Sequence, residues 1–310
     1  MTTLREGITH YVSMRRGLGF QLHHVERDLA SFASFIEREK ARHITVGLAL
    51  KWAMHPAAAH PPYWAQRLSA VRGFARHWSA IDLRTEVPPE GLLPFPNRRA
   101  QPYLYTDQEI QRLMAAAHTL PPRGGLRGWT YSCLFGLLTV TGLRISELVA
   151  LERRDVDLQE GLLTIRRTKF EKSRFVPLHV STRHALRQYA QRRDAYLGGP
   201  RAATFLVSEH GRPLDASNVR RTFYRLSRQT GLRGVHDRNG PRLHDFRHRL
   251  AVESLLQWYR SGEDVTRLLP VLATYLGHAN VNNTYWYLSA CPELMGHAAR
   301  RLDKRWKVRS

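Results

Sequence analysis

Two cysteines, Cys133 and Cys291, are all that 310 residues contain, which excludes a disulfide framework and a cysteine-rich zinc site. Cys133 lies in the apolar run Tyr131-Ser-Cys-Leu-Phe-Gly-Leu-Leu, where a thiol behaves as a small buried hydrophobe. Long apolar runs are missing too. No stretch approaches the roughly 18 residues of a membrane-crossing helix, and the first residues lack the charged-then-apolar order of a secretory signal. Negative charge is scarce, with 26 Asp and Glu against 48 Lys and Arg, a formal net charge of +22. These shortages together predict a cytoplasmic protein, kept reduced and away from membranes.

Hydrophobic residues at 43% and charged residues at 24% are enough for a packed core and exclude a disordered chain. The length suits two unequal domains. A field of +22 attracts polyanions, and each phosphate neutralised by Lys or Arg releases condensed counterions, so nucleic acid is the first partner to consider. The competing readings are a charged surface serving solubility and an acidic membrane surface, but no long basic amphipathic helix stands out for the latter.

Periodicity separates the chain into two parts. Leu22, Val25, Leu29, Phe32, Phe35 and Ile36 recur at helical spacing within residues 21–40, and Trp64, Leu68, Val71, Phe74, Ala75 and Trp78 do so within residues 63–81. Residues 46–54 form a shorter apolar piece ended by Pro56. The first ninety residues therefore predict a small helical bundle, with a first domain over residues 1–87. The prolines of residues 88–102 resist helix and favour extended backbone, which marks a linker. A second domain, residues 103–310, opens with the capping box Thr106-Asp-Gln-Glu109.

In that domain helices are expected over residues 129–138 and, after the break at Thr141-Gly142, from Arg144 to about Leu151. The period then shifts to β-prone runs at residues 161–168 and 173–178, a hairpin flanking Lys169-Phe-Glu-Lys172. Helical patterns return near residues 181–196, 216–230, 244–260, 265–276 and from about 281. The fold class is thus mainly α with one small antiparallel β-sheet.

Four clusters carry potential chemistry: Thr141-Gly-Leu-Arg144-Ile-Ser-Glu147-Leu, Lys169 in the hairpin, His244-Asp-Phe-Arg247-His248, and Leu276-Gly-His278 with Tyr287 nine residues on. Each alone has a plain reading. Arg144 and Glu147 could be a surface ion pair. His244 and Arg247, also i,i+3, share a helical face and could converge on an anion. His244 and His248 are an i,i+4 pair able to ligate a metal, but no Glu accompanies them in the usual zinc-site order, so a solvated or phosphate-contacting His248 is the better default.

In order and interval, the four clusters resemble the tyrosine recombinase or phage integrase family, whose catalytic fold is shared with type IB topoisomerases. The resemblance implies a helical core-binding domain, a linker and an integrase-like catalytic domain, acting on double-stranded DNA as a homo- or hetero-tetramer, without cofactor or metal. It also implies residue roles. Arg144 and Arg247 would clamp the scissile phosphate, Tyr287 would attack phosphorus, and Lys169 would protonate the leaving 5′ oxygen. His244 would act as acid or base, His278 would bond a phosphate oxygen, and Glu147 would hold the array. Lys172 remains the alternative to Lys169, because the glycine usual beside the family lysine is Phe170 here.

Nine residues of straight helix is about 900°, half a turn out of phase, so His278 and Tyr287 can share a site only if the helix breaks near Gly277 and residues 280–284. Tyr285 is read as a packing residue. Arg144, Lys169, His244, Arg247 and His278 are expected to converge on one basic cleft, with Tyr287 allowed outside it before DNA binds. For DNA contact the candidates are Arg67, Arg72, Arg76, Lys172, Arg220, Arg221, Arg225, Arg228 and His248. The tail holds Leu302, Trp306 and Val308 among charges, as a segment docking on a neighbouring protomer would. A site-specific recombinase of mobile elements, associated with the nucleoid, is the first expectation. A type IB-like topoisomerase or a catalytically silent DNA-binding protein of the same fold are the alternatives.

Overall fold

The computed structural model describes residues 3–95, 101–166, 173–234, 236–237, 240–278, 280–289, 293–296 and 299–300. Two compact units divide it, Met1–Ala100 and Gln101–Ser310.

The first unit is a bundle of α1 (Leu4–Gly17), α2 (His23–Arg38), α3 (Val46–Met54) and α4 (Pro61–Trp78). Thr3 and Glu6 cap α1 reciprocally, Thr45 caps α3, and prolines occupy the first turn of α4, where a missing N–H costs nothing. The periodic apolar residues of α2 and α4 meet in one core holding Leu29, Phe32, Trp52, Leu68, Val71 and Phe74. Residues beyond α4 stay with this bundle. Arg72 donates to the carbonyls of Pro88 and Pro89 at 2.8 and 2.9 Å, and the Glu86 amide donates to Ile44.

The second unit begins with α5 (Asp107–His118), whose capping box between Thr106 and Glu109 is formed as its sequence predicts. Next come α6 (Leu126–Thr141), α7 (Ile145–Val149), β1 (Val156–Asp157), β2 (Leu162–Ile165) and β3 (Arg174–Pro177). The remainder is α8 (Val180–Leu197), α9 (Ala216–Gln229), α10 (Asp245–Arg260), α11 (Val265–Leu276) and α12 (Asn282–Tyr285), which runs into a 3-10 turn at Trp286–Ser289. The molecule is mainly α with one antiparallel sheet in the order β1-β2-β3. The expected hairpin pairs Leu163 with Val176 and Ile165 with Arg174. β1, only two residues long, shows no alternation that could have announced it.

Apolar α6 runs through the main core, packed by α5, α8 and α10. Burial there pushes the Cys133 thiol up to about 12, an inert thiol as expected. α10, α11 and the 3-10 turn enclose a second cluster that includes Leu255, Leu272, Leu276 and Tyr287. Among the described residues no helix is long and apolar enough to cross a membrane.

Candidate active site

Where α6 ends, Gly142 takes the left-handed conformation (φ 59°, ψ 24°). A Cβ there would lie 2.8 Å from Leu250 Cδ2 and 3.5 Å from Arg247 Cα, so glycine answers both the backbone geometry and the close approach of α10. The chain turns directly into Arg144, the N-cap of α7. Arg144 Nη1 donates to Glu147 Oε1 at 2.7 Å and Nη2 to the Gly277 carbonyl at 3.1 Å, while the Arg144 amide donates to Glu147 Oε2 at 3.0 Å. The i,i+3 pair is therefore part of the interior, with the Glu147 side chain 7% exposed.

Glu147 has a second cation. Arg174 on β3 forms a two-pronged pair with it, Nη1 to Oε1 at 3.1 Å and Nη2 to Oε2 at 2.8 Å, and its Nε donates to the Tyr275 carbonyl at 2.8 Å. Burial pushes the Glu147 carboxyl up, but the Arg174 hydrogen bonds, the Arg144 amide and the two positive charges outweigh it and hold the group at about 2. One carboxylate thus ties α7, β3 and the end of α11 together.

α10 enters the site N-terminus first. Phe246 stacks on Tyr105 at 4.4 Å and is buried, which fixes the helix so that Arg247 points inward. Arg247 is 1% exposed. Its Nη1 donates to the Gly142 carbonyl at 2.9 Å, and Nη2 donates to the Leu276 carbonyl. Its Nε is buried with no hydrogen-bond partner among the described residues, which is unusual for a native donor and suits an anion. Burial, then the charge of Arg144, lower its guanidinium to about 10, so it remains a cation at neutral pH. At His244 the protein packed beneath the ring, then the charges of Arg247 and Arg144, hold the imidazolium down to about 4, although the ring keeps an open edge to solvent.

The predicted helix break is present. α11 stops at Gly277, left-handed at φ 65°, where a Cβ would meet Arg174 Nη1 at 2.8 Å. Asn280 caps the following turn, its Oδ1 accepting from the Asn282 amide at 2.9 Å, and α12 restarts. His278 Nδ1 lies 2.8 Å from Thr284 Oγ1, a contact made possible by the restart. The new phase brings the Tyr287 ring near-parallel to His278 at 6.1 Å and its hydroxyl to 3.3 Å from His248 Nδ1.

Arg144, His244, Arg247, His278 and Tyr287 are therefore gathered around the ends of α6, α10 and α11. Tyr287 stands within this group, 2% exposed, whereas the sequence had allowed it outside. Tyr285, read as a packing residue, is instead 46% exposed because α12 turns that face to solvent. His248 is also corrected: it is buried against Tyr287, Trp286 and His244 and is not solvated. Lys169 and Lys172 lie outside the described residues.

The arginine stripe of α4 does not survive as one phosphate-facing row. Arg67 is buried, 3.8 Å above the Trp52 ring, and donates to the Trp52 carbonyl at 3.0 Å, so it is a core residue with its charge satisfied inside the bundle. Arg72 is spent on Pro88 and Pro89, and exposed Arg76 pairs with Glu90 at 3.0 Å. On α9, by contrast, Arg220, Arg221, Arg225 and Arg228 are all exposed.

Sequence reasoning missed Arg174, Thr284 and the contact of His248 with Tyr287. Thr284 was inside the stretch marked as a turn, but nothing in its neighbourhood pointed to His278. Arg174 carried a readable signal: a charged residue at an inward position of a short strand needs a buried partner.

The chain from 104 to 293 matches the model of the phage integrase family. It is 52% identical over 314 residues, covering all of both chains, to the integrase/recombinase y4rB of Sinorhizobium fredii. Its fold is similar to that of the Tn1549 transposon integrase in complex with transposon right end DNA, with a TM-score of 0.68, 15% identity and coverage of 97% of this chain and 99% of that one. It is also similar in fold to the lambda integrase of a tetramer bound to a Holliday junction, with a TM-score of 0.62, 18% identity and coverage of 92% and 77%. The chain belongs to the phage integrase family of tyrosine recombinases.

Proposed function

We propose that this chain cuts and rejoins double-stranded DNA at a specific site through a 3′-phosphotyrosyl intermediate on Tyr287, for integration or excision of a mobile element or a related recombination. The observation that carries this reading is the placement of Tyr287 with its hydroxyl beside His248, its ring facing His278, and the residue within electrostatic reach of Arg247. A phenol among imidazoles and buried guanidinium groups is a nucleophile set beside an anion cradle.

In this reading Arg144 and Arg247 hold the non-bridging phosphate oxygens. Their carbonyl and carboxylate partners orient each planar fork without using every N–H, so donors remain for the charge that builds on phosphorus. Glu147 fixes Arg144 and keeps its own negative charge while doing so. His278, held by Thr284, donates to a phosphate oxygen. Neutral His244 sits on the phosphate side near the two arginines. Lys169 protonates the departing 5′ oxygen, an alkoxide that leaves poorly without a proton. Energy of the broken phosphodiester is kept in the tyrosyl ester, so rejoining needs no nucleotide cofactor.

Exposed Arg220, Arg221, Arg225 and Arg228 of α9 supply phosphate contacts along the duplex. The bundle of residues 1–87 acts as the second arm of a clamp, joined by the proline-rich linker 88–102. The active assembly is a tetramer on DNA, by analogy with the fold-related lambda integrase, and the protein is found with the nucleoid. The test is to incubate the protein with genomic DNA from its host, denature, and sequence the fragments held covalently. A recurrent site, with strand exchange between two duplexes carrying it, is the expected result. Adducts without exchange would point to a topoisomerase, and no adduct at all would overturn both.

A further inference from the structure

His248 has no chemical step in the reading above, yet its Nδ1 lies 3.3 Å from the Tyr287 hydroxyl. Its ring is edge-on to Tyr287 at 5.4 Å, to Trp286 at 5.1 Å and to His244 at 4.6 Å. These aromatic walls leave it 9% exposed and restrict its rotation. On its other side, Nε2 is 3.9 Å from Oδ1 of Asp245, a carboxylate 1% exposed. Asp245 is itself fixed by the Arg242 amide at 2.8 Å and guanidinium at 2.9 Å. The tautomer protonated at Nε2, on the carboxylate side, is the one that presents its Nδ1 lone pair to the phenol. The order Asp, His, hydroxyl is that of an activated nucleophile.

We propose that His248 is the base that takes the Tyr287 proton during cleavage and the acid that returns it during rejoining; this rests on Tyr287 being the nucleophile. In cleavage the Oη–P bond forms and the P–O5′ bond breaks. The phenol proton passes to His248 Nδ1, and the 5′ oxygen takes its proton from Lys169. In rejoining the 5′ hydroxyl attacks phosphorus and gives its proton back to neutral Lys169, the P–O5′ bond forms, the Oη–P bond breaks, and the His248 imidazolium protonates the departing tyrosyl oxygen. The described titratable groups around His248 are Asp245 and His244 of its own helix and Tyr287 of the 3-10 turn, with Arg242 behind Asp245 and His278 behind Tyr287. A neutral phenol is a weak nucleophile, and general-base removal of its proton typically supplies about 10²–10⁴-fold in rate.

The test uses the full chain and a nicked duplex built on its captured genomic site, in single turnover. His248→Asn keeps a hydrogen-bonding atom near the Nδ1 position but cannot accept the proton, and His248→Ala keeps neither. Both are expected to cleave roughly 100- to 1000-fold more slowly at neutral pH, and to recover as rising pH ionises the phenol without a base. The control replaces the leaving group. In a Tyr287→Phe background, joining of a strand that ends in a 3′-(4-nitrophenyl) phosphate needs no proton on the departing oxygen, so adding His248→Asn should leave that rate within roughly threefold.

Wild-type cleavage rates in the variants overturn the proposal, as does faster cleavage, which would make the contact a latch on the resting tyrosine. An equal loss of nitrophenyl joining overturns it too, by assigning His248 a structural role. If the unmutated protein forms no adduct with DNA, the functional reading fails, and this assignment with it.

Discussion

Arg174 and Glu147 face each other in a two-pronged ion pair, with N–O distances of 3.1 and 2.8 Å and side chains only 9% and 7% exposed. The pair joins β3 of the hairpin to the helix that carries Arg144. Removing Arg174 leaves a buried carboxylate with Arg144 alone and orphans the Tyr275 carbonyl. Arg174→Ala should cost about 3–5 kcal/mol of stability, read as a lower denaturation midpoint in urea. Arg174→Lys restores the charge but not the fork, and should recover only part of that loss.

The same carboxylate sets an acid limit. Its pKa is about 2 when folded and near 4.5 otherwise, so the folded state favours the ionised form. The stability this contributes, about 3 kcal/mol at 1.36 kcal/mol per unit, is fully present above pH 4.5 and disappears as pH falls toward 2. Subtracting the unfolding free energy of Glu147→Gln from that of the unmutated chain should give a difference that shrinks across this window.

His244 should titrate far below an ordinary histidine. With its imidazolium held down to about 4, the ring is neutral at neutral pH, and its NMR shifts should stay flat through pH 6.5 and move only near 4. Removing positive charge with Arg144→Gln should raise that midpoint, since Arg144 is one of the charges that lowers it.

Gly142→Ala tests the α6–α7 turn. The left-handed backbone and the 2.8 Å approach to Leu250 both oppose a side chain, and a loss of about 1–3 kcal/mol is expected. Because the Gly142 carbonyl accepts from Arg247, activity on DNA should fall further than the folded fraction does.

The arginines separate by salt dependence. Replacing exposed Arg225 and Arg228 with Ala should weaken DNA binding uniformly across sequences and reduce the salt slope by about one per residue. Arg67→Ala should instead destabilise the bundle, since its charge is stacked on Trp52, and leave the salt slope of the folded protein unchanged.

Much of this site was legible in the sequence because its residues sit on features with a local signature. Arg144 follows a helix-ending glycine, His244 and Arg247 share a helical spacing, and the half-turn mismatch between His278 and Tyr287 demanded the break that Gly277 provides. What escaped depends on contacts distant in the chain. Arg174 reaches Glu147 across 27 positions, and His248 reaches Tyr287 across 39. Arg67 illustrates the opposite error: helical spacing among basic residues suggests a solvated face, yet Trp52, from another helix, turned one of them inward. The two-residue β1 is set by pairing with β2, beyond the reach of local pattern.

The most direct measurement is the identity of the residue bonded to DNA. Digesting the trapped adduct with protease and nuclease and sequencing the modified peptide by mass spectrometry should place a nucleotide on Tyr287, with Tyr287→Phe forming no adduct while still binding the same DNA. A nucleotide on Tyr285 or any other residue, or an adduct that persists in Tyr287→Phe, would contradict the account.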